Sequence, residues 1–336
     1  MALYAIDDLD DAWAATREFL TPLSVRRVAV LAVVVFFVGG TGMNPLGGSS
    51  GTGTAPEAGP GPGASLDAIQ EFVAQNALAI GLIGGTLLAV VLGFVFVGAL
   101  MEFVFVQSLR TDEVRFWDYA RRYLGNGLRL FGFRLGLALL TVLPVLAFLG
   151  VGLTAIGAGS LTQTGGAALV LIGLLAVVVF VLVSLVDSFT TAFVVPVMLV
   201  RDSGVLDAWR AFWPTLTGQW KQYLAYAVAA FVLNVALGIV LFVAVAAAAL
   251  VLLIPLGVVV AGTALLAPTV VAPVAIALGV LFVLGIVAVA LVVQVPIRTY
   301  MRYYALLILG DTDGTLDPIP AIRARVRGDG RDPETI

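Results

Sequence analysis

Residues 204–223, GVLDAWRAFWPTLTGQWKQY, decide how this chain is read. The stretch has Asp207 near its start and Lys221 near its end. Trp209, Phe212/Trp213, Leu216, Trp220 and Tyr223 fall along one helical face. An uncharged apolar run far too long for a soluble core follows at once. Early acid, late cation and an aromatic stripe describe an amphipathic helix lying in a membrane interface and leading into a spanning helix. Similar stretches precede two other apolar blocks.

Composition agrees. Hydrophobic residues make up 61% of the chain and charged residues 12%, against about 45–50% and about 25% in soluble domains. Several apolar runs exceed the ~18 residues that mark a membrane span. The expected fold is therefore all-α, a polytopic membrane helical bundle. The chain has neither cysteine nor histidine, which excludes disulfides, thiolate nucleophiles and sulfur metal sites. It also removes the commonest general base and the commonest transition-metal ligand. Neither a cofactor nor a nucleic-acid partner is expected. Asp7, Asp8, Asp10 and Asp11 precede the first apolar run, where a cleavable signal would be basic.

Taken in order, residues 4–20 are expected as a first interfacial helix, with Leu9, Trp13, Thr16 and Leu20 on one side. A first span covers 22–43, and a flexible Gly/Ser/Thr/Pro linker covers 44–64. A short polar helix at 65–76 feeds a second span, 77–106. Residues 110–129 form the second interfacial helix, with Trp117, Ala120, Leu124 and Leu128 as its apolar side, before spans at 130–155 and 167–200. The opening stretch is the third interfacial helix and leads into a fifth span, 223–254. Pro255, Gly257, Gly262, Pro268 and Pro273 punctuate a loop or re-entrant segment before the sixth span at 274–297. The tail, 311–336, is expected to be mobile.

All 18 Lys and Arg residues fall on one side of this layout. The opposite loops, 44–76, 156–166 and 255–273, carry none. Six spans with both termini cytoplasmic follow from the positive-inside rule, in the plasma membrane. Trp13, Trp117, Trp209, Trp213 and Trp220 are expected as membrane-interface anchors. Trp13, Trp117 and Trp209 also align three units of one interfacial helix and two spans, at 4–106, 110–200 and 203–309. These form a parallel repeat, although topology alone also places aromatic and basic residues at such positions.

The acidic start ending in DAW, the later LRTDEVRFWDYARRYL and VRDSGVLDAWRAFW, and the closing RTYMRYY resemble an uncharacterised family of haloarchaeal multi-spanning membrane proteins. More distantly, the layout resembles the membrane domain attached to some glycerophosphodiester phosphodiesterases. The resemblance implies a six-helix membrane domain and no settled activity. No stretch of this sequence corresponds to the phosphodiesterase catalytic domain.

Ionisable groups inside spans are costly and usually face partners. Glu102 and Arg134 both fall roughly 9 Å inside their spans, where they either pair or snorkel separately. Asp187 is deeper, roughly 20 Å in and level with Asn234 and Thr141; Ser184, Ser188, Thr190 and Thr191 flank it. Such a carboxylate binds a cation, carries a proton, or stays neutral and joins helices through hydrogen bonds. Arg134, roughly 10 Å shallower, is not expected to reach it. Gly81/Gly85 and Gly132/Gly136 have the spacing of close helix contacts. No enzyme motif is present. Two readings result. One is a non-enzymatic scaffold that organises lipid, anionic lipid included, or other membrane proteins; the other is a small permease or ion-coupled carrier built on Asp187.

Overall fold

A computed structural model describes residues 4–21, 24–41, 66–157 and 163–328. Every regular element among them is helical. In chain order they are α1 (Tyr4–Leu20), α2 (Val25–Thr41), α3 (Leu66–Gln75), α4 (Ala77–Thr111), α5 (Phe116–Arg122), α6 (Leu124–Gly157) and α7 (Gln163–Phe189). A π-helical turn, Thr190–Val194, joins α7 to α8 (Val195–Arg201). Then come α9 (Val205–Gly218), α10 (Trp220–Leu266), α11 (Val271–Thr312) and α12 (Pro320–Val326). The expected linker, 44–64, lies outside the described residues.

Among the described residues five segments are long and apolar enough to cross a membrane: Ala77–Thr111, Leu124–Gly152, Gly166–Arg201, Trp220–Leu266 and Pro268–Thr312. As described, α2 has 17 residues, or about 26 Å of helix. That is short of a hydrocarbon core of roughly 30 Å.

Two of the long helices end the same way. Asp112 after α4 and Asp202 after α8 turn the chain with φ of 57° and 46°. Asp is one of the few side chains that enters this left-handed region at modest cost, and a residue there halts the helix. Prolines do not stop the others, since Pro144, Pro255 and Pro296 all sit inside helices. Each removes one ladder hydrogen bond, a loss that membrane helices accommodate through neighbouring groups.

Pro255 corrects the expected loop at 255–273. α10 runs on through it for 47 residues, and the chain reverses only at Ala267 and the short 3-10 turn Pro268–Val270. Apart from the proline nothing in 255–266 breaks a helix, and in lipid helix is the form that satisfies every backbone group.

The long helices pack in pairs: α2 with α4, α6 with α7, and α10 with α11. Close approach needs a small residue at a few points. A Cβ on Gly285 would stand 2.9 Å from Leu252 Cδ1, and one on Gly127 would stand 3.2 Å from the Leu100 Cα. The expected contacts at Gly81/Gly85 and Gly132/Gly136 are not found, because all four face open space. The pairs meet at one end, the base, where α4 packs on α6, α11 on α2, and α1 on α11.

The core of the base is apolar and includes a cluster of aromatic rings. Phe193 stacks on Phe212 at 5.4 Å, and Tyr223 and Tyr226 stand edge-on to Phe193 at 5.1 and 4.9 Å. The aromatic face expected for 204–223 is therefore divided. Phe212 and Tyr223 turn into the core, Trp209 is half-buried, and Trp213 and Trp220 are exposed. In α1, Thr16 is buried with Ala12, Ala15 and Phe19, while Trp13 faces outward. In the second amphipathic stretch Ala120 turns inward with Tyr119 and Tyr123, leaving Trp117, Leu124 and Leu128 exposed.

The tail is also corrected over its described part. α11 continues to Thr312, and Leu316, Ile319 and Ile322 are buried. Tyr223 and Thr312 share a 2.7 Å hydrogen bond, and Arg110 donates to the Pro318 carbonyl at 2.9 Å. Burying three aliphatic side chains gives this segment a reason to fold, at about 1.5–3 kcal/mol each.

Candidate functional site: a buried charge layer between the helix pairs

Where the pairs converge, charged side chains from α4, α6, α7 and α11 meet. Glu102 (α4) is at the centre. Arg134 Nη2 (α6) lies 3.4 Å from Glu102 Oε1, and Arg302 Nη2 (α11) bonds Glu102 Oε2. Arg134 also donates through Nε to Asp187 Oδ1 at 3.1 Å and through Nη2 to Thr191 Oγ1 at 2.8 Å. Side-chain exposure is 1% for Glu102, 6% for Arg134 and Arg302, and 18% for Asp187. The layer is thus inside the protein, where unpaired charge is most costly and paired charge is held most rigidly.

The Asp187–Arg134 bond corrects the depth argument from sequence. Counted from the true helix ends, Leu124 and Arg201, the two residues differ by only about 6 Å along the axis. A guanidinium on three methylenes covers that distance. Arg302 corrects a second expectation, that it lies beyond the last span. α11 runs on without a break to Thr312, which puts Arg302 as far inside its helix as Arg134 is in α6.

The π-turn explains the Thr191 contacts. Val195 N–H bonds the Thr190 carbonyl, five residues back. The next bond of that pattern would need an N–H at position 196, which is proline. The Thr191 carbonyl is therefore left without a ladder donor, and Arg302 Nη1 fills it. Helix insertions of this kind free backbone groups for use by side chains. A proline five residues after a threonine, in a span opposite two arginines, is the signal that sequence reasoning missed.

Arg298 lies deeper on α11, against the C-terminal turn of α2. A Cβ on Gly39 would stand 3.4 Å from its Nη2 and 3.2 Å from Gln294 Oε1. A cation at a helix C-terminus is favourable there. Among the described residues, no carboxylate lies within ion-pair distance of Arg298.

The other expected members of the polar site are elsewhere. Asn234 is on the exposed side of α10, donating to the Ala230 carbonyl at 2.7 Å. Thr141 is buried but donates to Leu137 of its own helix at 3.0 Å. Ser188 is exposed. The structure thus brings together Glu102, Arg134 and Asp187, adds Thr191 and Arg302, and leaves out Asn234, Thr141 and Ser188. Trp209 is tied to the rim of the layer, its Nε1 donating to Thr190 Oγ1 at 3.1 Å.

All-α architecture over the described residues, five helical segments long and apolar enough to cross a membrane, and a charge layer shared between helix pairs define an integral membrane protein. The chain belongs to a family of unknown function, DUF7544, which matches residues 3–319. Nothing matches among curated proteins or among solved structures.

Proposed function

We propose that this is a non-enzymatic membrane scaffold: a six-span protein of the plasma membrane, both termini cytoplasmic, that organises lipid or membrane partners around a rigid base. One observation carries the reading. The charged groups at the meeting point of the helix pairs engage one another, with Asp187 held by Arg134 and Glu102 by two arginines. A carrier carboxylate has to exchange partners during transport, whereas this one is a strut between α6 and α7. Trp13, Trp117, Trp213 and Trp220, all exposed around the base, suit headgroup depth and would orient the protein against anionic lipid. The three units 4–106, 110–200 and 203–309 would supply one helix pair each. The likeness to the membrane domain of some glycerophosphodiester phosphodiesterases is one of layout and adds no chemistry.

Asp187→Asn separates the two readings. A strut weakened to a neutral hydrogen bond lowers stability by about 1–2 kcal/mol, and proteoliposomes of wild type and variant alike show no proton or sodium flux above empty vesicles. Flux in the wild type that Asp187→Asn abolishes, with folding intact, replaces the scaffold by the carrier.

A further inference from the structure

Away from the buried charge layer, a second cluster joins α1, the end of α11 and the tail. Arg327 Nη2 lies 2.6 Å from Asp8 Oδ1 and 2.7 Å from Asp311 Oδ2. Its Nη1 lies 2.8 Å from Asp311 Oδ1 and its Nε 2.7 Å from Asp11 Oδ2. Arg323 adds 3.1 Å to Asp311 Oδ1 and 2.8 Å to Asp317 Oδ2. Asp8, Asp11, Asp311 and Asp317 therefore share two guanidiniums.

Asp8 is the anomaly. It is wholly buried, and its Oδ2 accepts from no donor among the described residues. An ionised carboxylate with a bare buried oxygen is costly. A protonated one has an O–H to give, and the neighbouring acceptor is Asp311, whose Oδ2 shares Arg327 Nη2 with Asp8 Oδ1. Two carboxyls in contact hold one proton between them for the same reason.

The groups facing Asp8 come from every neighbouring element. α1 gives Asp11; α11 gives Tyr304 and Asp311; the tail gives Arg327, with Arg323 and Asp317 behind it. α10 gives Tyr226, whose ring is 5.4 Å from that of Tyr304. Beside the cluster, a half-open groove of about 350 Å³ is lined by Gly310, Asp311, Pro320, Arg323, Ala324 and Arg327, so bulk protons reach it.

We propose that Asp8 and Asp311 share one proton that latches the end of the tail, residues 320–327, onto α1, and that loss of this proton releases that end. Residues 314–319 are held independently, by buried Leu316 and Ile319 and by Arg110 on the Pro318 carbonyl at 2.9 Å. Beyond them buried Ile322 remains, and the other ion pairs, from Arg325 to Glu18 and Asp112 at 3.0 and 3.2 Å, are half-exposed and weak holders. Burial first, then repulsion from Asp311, pushes Asp8 from 3.8 up to about 8 against the pull of Arg327. The docked state binds the extra proton between those values. Its contribution is complete below about 3.8 and is lost as pH rises through about 8.

The chain has no native cysteine, so two nitroxide labels at Ala14→Cys and Ala321→Cys report the distance from α1 to α12 in full-length protein in lipid nanodiscs. We expect one narrow distance at low pH and a longer, broader population that grows as pH rises towards about 8. Asp8→Asn, whose amide donates to Asp311 and cannot ionise, should hold the narrow distance to about pH 10. If Asp8→Asn does not fold, Asp311→Asn serves the same purpose. A wild-type distance unchanged across the range overturns the latch, and so does an Asn variant that opens at the wild-type midpoint.

Discussion

At the base, Phe193, Phe212 and Tyr223 are almost wholly buried against one another, and Glu102, Arg134 and Arg302 are buried with their charges paired. Farther along the same helices, Val251, Ile254, Leu265 and Leu266 stand exposed, and no charged residue occurs between Lys221 and Arg298. The two regions differ in what surrounds them. In lipid, apolar surface has no reason to hide, so the outer parts of the pairs need only close their own backbone hydrogen bonds. At the base, charges and helix ends need partners, and only protein can supply them without water. The pairs are joined where polar chemistry demands it and diverge where it does not.

If that contrast is right, the largest effect of any single change belongs at Glu102. Glu102→Gln leaves Arg134 and Arg302 facing each other with one charge removed from between them. Breaking a buried ionic network on one side costs about 3–5 kcal/mol. The expected outcome is a variant that inserts into the membrane but unfolds at much lower denaturant, measured in mixed micelles. A loss below about 1 kcal/mol would mean that the layer is wet, and the contrast between base and hairpins would fail.

Glycine gives a second comparison. A Cβ on Gly127 would stand 3.2 Å from the Leu100 Cα, whereas one on Gly85 would meet open space. Gly127→Val forces α6 away from α4, at about 1–3 kcal/mol. Gly85→Val adds a methyl-bearing carbon to a surface that lipid covers, with an effect near zero. Similar losses at both sites would mean that the outer parts are as tightly packed as the base.

These sites also show what the sequence discloses. Class and apolar spans were legible, because charge and hydropathy are written residue by residue. Glu102 and Arg134 were legible as costly charges at equal depth, with pairing and separate snorkelling both open. The Asp187–Arg134 bond was not, since depth was counted from assumed span ends, and α6 begins at Leu124 rather than at 130. Arg302 was hidden by the same error at the other end of a helix. Pro255 looked like a loop signal because proline breaks helices in water, where a freed carbonyl finds a solvent partner. The direction of Phe212 against Trp213 depends on one residue of helical phase, which tertiary packing settles. The docked tail was missed because its burial rests on Leu316, Ile319 and Ile322, too few and too dispersed to form a periodic pattern.

The smallest expected effect belongs to Asn234, the one amide of α10 beyond its first turn. From depth alone it belonged with Asp187. In the structure it faces outward and donates to Ala230 of its own helix at 2.7 Å. That bond satisfies the amide donor locally and asks nothing of a neighbour. Replacing it with leucine removes a back-bonded polar group from a lipid-facing surface and restores an apolar one. Asn234→Leu should therefore change stability by no more than about 0.5 kcal/mol, in the same micelle assay that registers Glu102→Gln. A carrier with a path through α10 requires the opposite result, since an amide that lines such a path cannot become leucine without blocking it. A loss of several kcal/mol, or of a measured flux, would place Asn234 inside the protein and show that the pairs close together farther out than the base.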